Sequence, residues 1–206
     1  MVTSTSNTWG KYTGHTLKWE GGKSSDPRDT AASCYPGGVH TNKGITYCTF
    51  KNLAYELGIR PVTYAKFLSL TDQEAGLFMY KYYQAIKGDQ LPDSVALSMS
   101  AAAWGSGTSR AWQHLRDALN DLGQSVISNS QAIDKAKKVK ELDLFNAYNQ
   151  RRRIYLVQTL GSQPRYAPFV KGWTNRLDDF IKQFKPSGGI KLPWTIFLLS
   201  SLVFLK

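Results

Sequence analysis

Acidic residues are scarce in this chain: 15 Asp and Glu stand against 26 Lys and Arg, a formal charge of +11 over 206 residues. Such a balance favours an anionic partner, and nucleic acid, an acidic membrane surface and a bacterial cell wall all meet that description. Cysteine is nearly absent. Cys34 and Cys48 alone do not make a disulfide framework, and spacing leaves open whether they pair. His40 is the one further ligand between them, so no metal is expected, and no cofactor either. Residues Met1 to Asn7 have neither a basic region nor an apolar run, so no cleaved secretory signal is expected. No nucleic-acid-binding motif accompanies the basic residues, which argues against a nucleic-acid partner. Internal repeats are missing too.

Long apolar runs are missing except at one end. From Ile190 to Leu205 only Lys191 is charged. A bilayer-spanning helix needs roughly 17–25 apolar residues, so this stretch sits at or below the limit. A short inner-membrane anchor, an interfacial segment and a tail packed on the protein all remain open.

What is present is enough to fold. Hydrophobic residues make up 42% and aromatics 13%, with six Trp and eleven Tyr, sufficient for one sizeable core or two small ones. The periodicity is mostly helical. Tyr12 to Trp19 reads as a short helix stopped by Gly21-Gly22, and Phe50 to Leu57 as another closed by Gly58. Thr71-Asp72-Gln73-Glu74 has capping-box spacing and opens a helix through Ala85. Ser94 to Trp104 suits a helix buried on most sides, broken by Gly105 and Gly107. Amphipathic or basic helices follow over 110–122 and 133–160, and a last one over 169–184. Between Lys23 and Thr46 the chain is rich in Gly, Pro, Ser, Asp and Thr, as expected of a long loop with a short hairpin. The fold class is therefore mainly α, with one Gly/Pro-rich loop near the start.

The chemistry is concentrated in that early stretch. Glu20 ends an apolar helix beside Trp19, the partly desolvated setting in which a carboxylic acid holds its proton and acts as a general acid. Glycoside hydrolysis asks for such an acid and a second carboxylate across a cleft, and Asp26 and Asp29 follow on the adjoining loop. Glycines at 21, 22, 37, 38 and 44 permit tight turns and close approach of a sugar. Taken singly, each of these residues is common punctuation: Glu before Gly-Gly is more often a solvated helix end, and Asp-Pro a turn. Their order is more specific.

Glu20-Gly21-Gly22, Asp26-Pro27-Arg28-Asp29 and Gly37-Gly38-Val39-His40-Thr41-Asn42-Lys43-Gly44-Ile45-Thr46 together resemble the signature of the muramidases of glycoside hydrolase family 108. Phe169-Val170-Lys171-Gly172-Trp173-Thr174-Asn175-Arg176 is similar to the Phe-x-x-Gly-Trp-x-Asn-Arg element that ends the family's C-terminal peptidoglycan-binding part. The resemblance spans about residues 10 to 184. It implies a lysozyme-like helical fold and hydrolysis of the β-1,4 bond between N-acetylmuramic acid and N-acetylglucosamine in peptidoglycan. It maps the family's catalytic Glu onto Glu20 as acid; the Glu20-to-Asp29 spacing also resembles that of phage-type lysozymes, which implies Asp29, ahead of Asp26, as the second carboxylate and Thr41 as sharing the positioning of water. Asp26, Asn42, Trp104 and Trp173 are the expected substrate contacts. Two departures stand out. Thr30 to Tyr35 is inserted between the Asp pair and Gly37-Gly38, and the segment where the family carries an Asp and an Asn reads Ser100-Ala101-Ala102-Ala103-Trp104.

The implied organisation is a catalytic part over 10–90, a helical peptidoglycan-binding part over 91–185, and a linker with an apolar tail over 186–206. A phage-type monomer made in the host cytoplasm and acting on the wall fits this layout. A lytic transglycosylase and a catalytically silent wall-binding module are the rivals, since fold alone does not guarantee activity. Arg151-Arg152-Arg153 with Lys135, Lys137, Lys138 and Lys140 reads either as an anion-binding patch or as a solvated helix face.

Overall fold

The computed structural model of the chain describes residues 6–27, 30–35 and 37–187. It is mainly helical, as expected. Helix α1 (Asn7–Trp19) starts earlier than the apolar pattern suggests. Ser6 caps it, its hydroxyl accepting from the Trp9 N–H at 3.1 Å, and Trp9 and Tyr12 are buried. Glu20 closes the helix in an extended conformation. Three two-residue strands follow, β1 (Lys23–Ser24), β2 (Thr41–Asn42) and β3 (Ile45–Thr46), in one antiparallel sheet of that order. Lys23 pairs with Asn42, and Asn42 with Ile45. The β2–β3 turn, Lys43-Gly44, has positive φ at both positions (53° and 77°), the conformation of the tightest hairpins. Between β1 and β2 the inserted residues Thr30–Cys34 form a 3₁₀ turn, and Cys34 is bonded to Cys48, with Cα atoms 5.2 Å apart.

Helix α2 (Tyr47–Leu53) begins directly after β3, three residues earlier than the sequence suggests, because Thr46 caps it by accepting from the Thr49 N–H. Then come α3 (Tyr64–Leu68) and α4 (Asp72–Ala85), the latter opened by the full capping box between Thr71 and Glu74. Helix α5 (Asp93–Ser106) is buried from Ser94 to Ala103. Gly105 stays inside it, and Gly107, at φ +83°, makes the break to α6 (Thr108–Asp121). The chain ends in α7 (Asn129–Ala136), α8 (Glu141–Ile154), a π-helical segment (Tyr155–Leu160) and α9 (Val170–Phe184). Helix α8 is joined to α5 by Asn149 Nδ2 donating to Ser98 Oγ and by Glu141 accepting from Ser94.

The buried apolar residues form two clusters, and these do not divide at residue 90. The smaller holds Ile45, Phe50, Ala54, Ile59, Phe67, Leu70, Ala75 and Phe78, from β3 to the first half of α4. The larger takes Trp9 and Tyr12 of α1, Met79 and Tyr83 from the second half of α4, and the helices beyond. A period of 3.6 residues lets α4 face both. The first helix therefore packs with the last ones, a long-range contact that linear division at 90 does not anticipate. Leu17 and Trp104 are half-buried against both clusters, at their seam. Among the described residues no helix is long and apolar enough to cross a membrane. The tail residues 188–206, including the apolar 190–205, lie outside the described residues.

Candidate active site

Glu20 sits at that seam, its side chain 18% exposed. Four elements converge on its carboxylate. Helix α1 delivers it at its C-terminal end. From α5, the Trp104 indole N–H donates to Oε1 at 2.9 Å. From α9, an Arg176 guanidinium N–H donates to the same Oε1 at 2.6 Å, across 156 residues of sequence. The β2–β3 turn meets the other oxygen: a methyl group at Gly44 would lie 2.7 Å from Oε2 and 3.0 Å from the Trp104 nitrogen. Gly44 is thus required twice, by its positive φ and by this approach. The turn is held there by the Lys43 N–H donating to the Gly22 carbonyl at 3.0 Å, and by Lys43 Nζ on Asp72 at 2.6 Å.

The α1–α9 contact continues one turn along. Asp179 accepts from the Trp19 indole N–H at 2.9 Å, from Lys18 at 3.0 Å and from Gln183 at 2.8 Å. The hydrogen bonds from Gln183, Trp19 and Lys18 hold its carboxyl well below the usual range. His15 Nε2 lies 3.4 Å from the same carboxylate, yet burial pushes this histidine down to about 4, more than Asp179 raises it. At neutral pH His15 is uncharged, and the contact is not an ion pair. Trp19, expected to desolvate Glu20, turns its indole N–H to Asp179; the indole N–H on the carboxylate is that of Trp104.

The other expected residues are placed as follows. Thr41 and Asn42 form β2. The Thr41 hydroxyl is buried and makes no hydrogen bond among the described residues. Asn42 is 3% exposed and its amide donates to the Phe67 carbonyl at 2.7 Å, which ties β2 to α3. Asp26 is half-buried just beyond β1. Asp29 falls outside the described residues. Trp104, another expected substrate contact, commits its N–H to Glu20, and its ring meets Tyr82 edge-on, centroids 5.3 Å apart. Trp173 lies one turn before Arg176 on α9, beside Tyr166 and Phe169. Arg176 and Gly44 belong to the quoted motifs, but the pairing of each with Glu20 was not read from them.

The triple arginine divides three ways. Arg151 pairs with Asp121 of α6 and Arg153 with Asp178 of α9. Arg152 is half-buried, donates to Asn149 Oδ1 at 3.0 Å and lies over the Phe180 ring.

Glycoside hydrolysis uses a pair of carboxyl groups flanking the scissile bond, and Glu20 is a candidate for one of them. The model of the glycosyl hydrolase 108 family matches residues 13–107. No curated protein matches the chain. Among solved structures it is similar to SagA of Brucella abortus, at 25% identity and a TM-score of 0.62, over 89% of this chain and 98% of that one. The likeness therefore extends past the family 108 region into the later helices, those that bring Arg176 to Glu20. The protein is a glycoside hydrolase, and the match supports peptidoglycan as its substrate.

Proposed function

We propose that the protein is an N-acetylmuramidase that hydrolyses the β-1,4 bond between N-acetylmuramic acid and N-acetylglucosamine, with Glu20 as general acid. The carrying observation is the asymmetry of the Glu20 carboxylate. Oε1 is anchored by Trp104 and Arg176, which leaves Oε2, beside Gly44, to hold the proton that passes to the leaving glycosidic oxygen. As that proton departs, negative charge develops on a carboxylate already facing a guanidinium. An interaction that strengthens during proton transfer stabilises the transition state more than the ground state. Arg176 is then a positioning and charge-compensating residue for the acid. Asp29, nine residues after Glu20 in the sequence, is the proposed second carboxylate, and Thr41 the proposed partner in positioning water.

The setting we propose is lysis of a bacterial wall by a monomeric phage-type enzyme made in the host cytoplasm. The apolar 190–205 segment, behind Pro186-Ser187-Gly188-Gly189, would hold it at the inner membrane; its composition and the basic charge of the chain support this. The test is digestion of purified peptidoglycan by wild type and Glu20→Gln, with the new ends identified. Hydrolysis yields a reducing N-acetylmuramic acid terminus. A 1,6-anhydro terminus, or lysis by the Gln variant at the wild-type rate, would refute the reading.

A further inference from the structure

Arg176 also lines a half-open cavity of about 260 Å³ formed by α5, α6, α8, the π-helical segment and α9. Small residues of α5 line one side. Arg152, Arg176, His114, Tyr155, Tyr166 and Trp173 line the rest. No Asp or Glu is among its lining residues. Its volume is just under the roughly 300–1,000 Å³ of small-molecule sites, so it fits a branch of a larger ligand rather than a whole one.

The charges around it do not balance. Arg176 is matched by Glu20. Arg152 has an amide oxygen and an aromatic face, and no carboxylate among the described residues. Burial pushes Arg152 down to about 10, and Arg176 adds to this, so it stays charged at neutral pH without compensation. His114 adds no charge, because burial and then Arg152 push it down to about 4. A desolvated guanidinium facing a cavity with aromatic walls is suited to a carboxylate carried on a small apolar residue, taken bidentately.

We infer that this cavity is a subsite for a carboxylate of the peptide stem that branches from N-acetylmuramic acid, with Arg152 as its anion-binding residue and Tyr166 and Trp173 as its apolar wall. The inference rests on the muramidase reading for the identity of the ligand. Its location supports it: Arg176, which donates to the Glu20 carboxylate, also lines the cavity. A stem held there identifies the correct sugar, because N-acetylglucosamine carries no such branch.

The test compares stem-bearing glycan strands with strands stripped of their peptides by an amidase. Arg152→Gln should lower kcat/KM on stem-bearing strands about tenfold, the loss expected of one charge-assisted contact, and leave stripped strands unaffected. Arg152→Lys should recover part of the loss. Binding is read separately by calorimetry on the Glu20→Gln protein with a free lactyl-tetrapeptide: the carboxylate form should bind about tenfold more tightly than its carboxamide. This ligand-side comparison holds even where an Arg152 variant folds poorly. Equal losses on both substrates, equal binding of acid and amide, or inorganic phosphate displacing the peptide at comparable concentration would overturn the proposal. If wild type cleaves neither substrate, the muramidase reading fails, while the calorimetry still decides the subsite.

Discussion

The two regions of the molecule are stabilised in different ways. The larger, from α1 through α5–α9, is helix packed on helix around α5, with aromatic contacts such as Trp9–Tyr12 and Phe145–Phe180. The smaller, from β1 to the start of α4, has two-residue strands, short helices, a small apolar cluster and a disulfide. Small cores bury too little surface to be secure without a covalent or metal staple. The difference bears on Glu20 directly. Its anchored oxygen is held by the larger region through Trp104 and Arg176, and its free oxygen is faced by the smaller region through Gly44. The acid is therefore held between the two regions, one carboxylate oxygen against each.

The sharpest test of this division is chemical. Glu20→Gln should lower wall lysis by about two or more orders of magnitude and leave the melting temperature near that of wild type, read by turbidity and thermal denaturation. Next in size, Arg176→Ala and Gly44→Ala strike the acid from opposite regions. Arg176→Ala removes a charged partner that is itself partly exposed, and should cost about 1–2 kcal/mol of stability and at least about tenfold in kcat. Gly44→Ala puts a methyl group against Oε2 and forces a left-handed backbone, costing about 1–2 kcal/mol, with a loss of kcat that exceeds any change in KM. A Gly44→Ala protein with normal kcat would show that the turn does not press on the acid.

Acid should unsettle the larger region first. His15 and His114 are buried there, both pushed from 6.5 to about 4 by burial. A histidine whose folded value lies below its unfolded one contributes stability that is intact above about pH 6.5 and is lost as pH falls toward 4, because the unfolded chain binds the extra proton. The depressed Asp179 acts in a lower window, below the ordinary carboxyl value of 3.8. Hydrogen exchange at pH 5 against pH 7 should show faster opening of α1, α6 and α9, with α2 and α3 little changed. Equal acceleration in both regions would break the comparison. Reduction is the mirror experiment. Opening the Cys34–Cys48 bond, 14 residues apart in sequence, should cost about 3 kcal/mol, and its exchange effect should be confined to β1–α3. The smallest effect belongs to Arg151→Ala, an exposed pair with Asp121, worth under about 1 kcal/mol.

Much of this layout was legible locally. The Thr71 capping box, the Gly107 break, the buried α5 and the acid before Gly21-Gly22 all depend on residues within a turn or two of one another, where periodicity and capping operate. The first turn of α1 was hidden because Gly10 and Gly14 interrupt the apolar pattern, although Ser6 was a serviceable cap. What escaped was long-range. That Arg176 ends on Glu20, or that Trp104 spends its N–H there, depends on how α1, α5 and α9 cross, which no local spacing records. The same holds for Arg152: three consecutive arginines point about 100° apart around a helix, and only the neighbours decide which one faces inward. The bond from Asn42 to the Phe67 carbonyl was hidden for the same reason, since it joins residues 25 apart.

The clasp between α1 and α9 also has a consequence for synthesis. A ribosome makes Glu20 early and the guanidinium that meets it 156 residues later. A nascent or truncated chain ending near residue 107 contains the acid, the Gly44 turn and Trp104, yet lacks both Arg176 and Asp179. The helix bearing Glu20 then lacks both of these partners. Order of translation thus delays completion of the α1–α9 clasp until nearly all of the described chain exists.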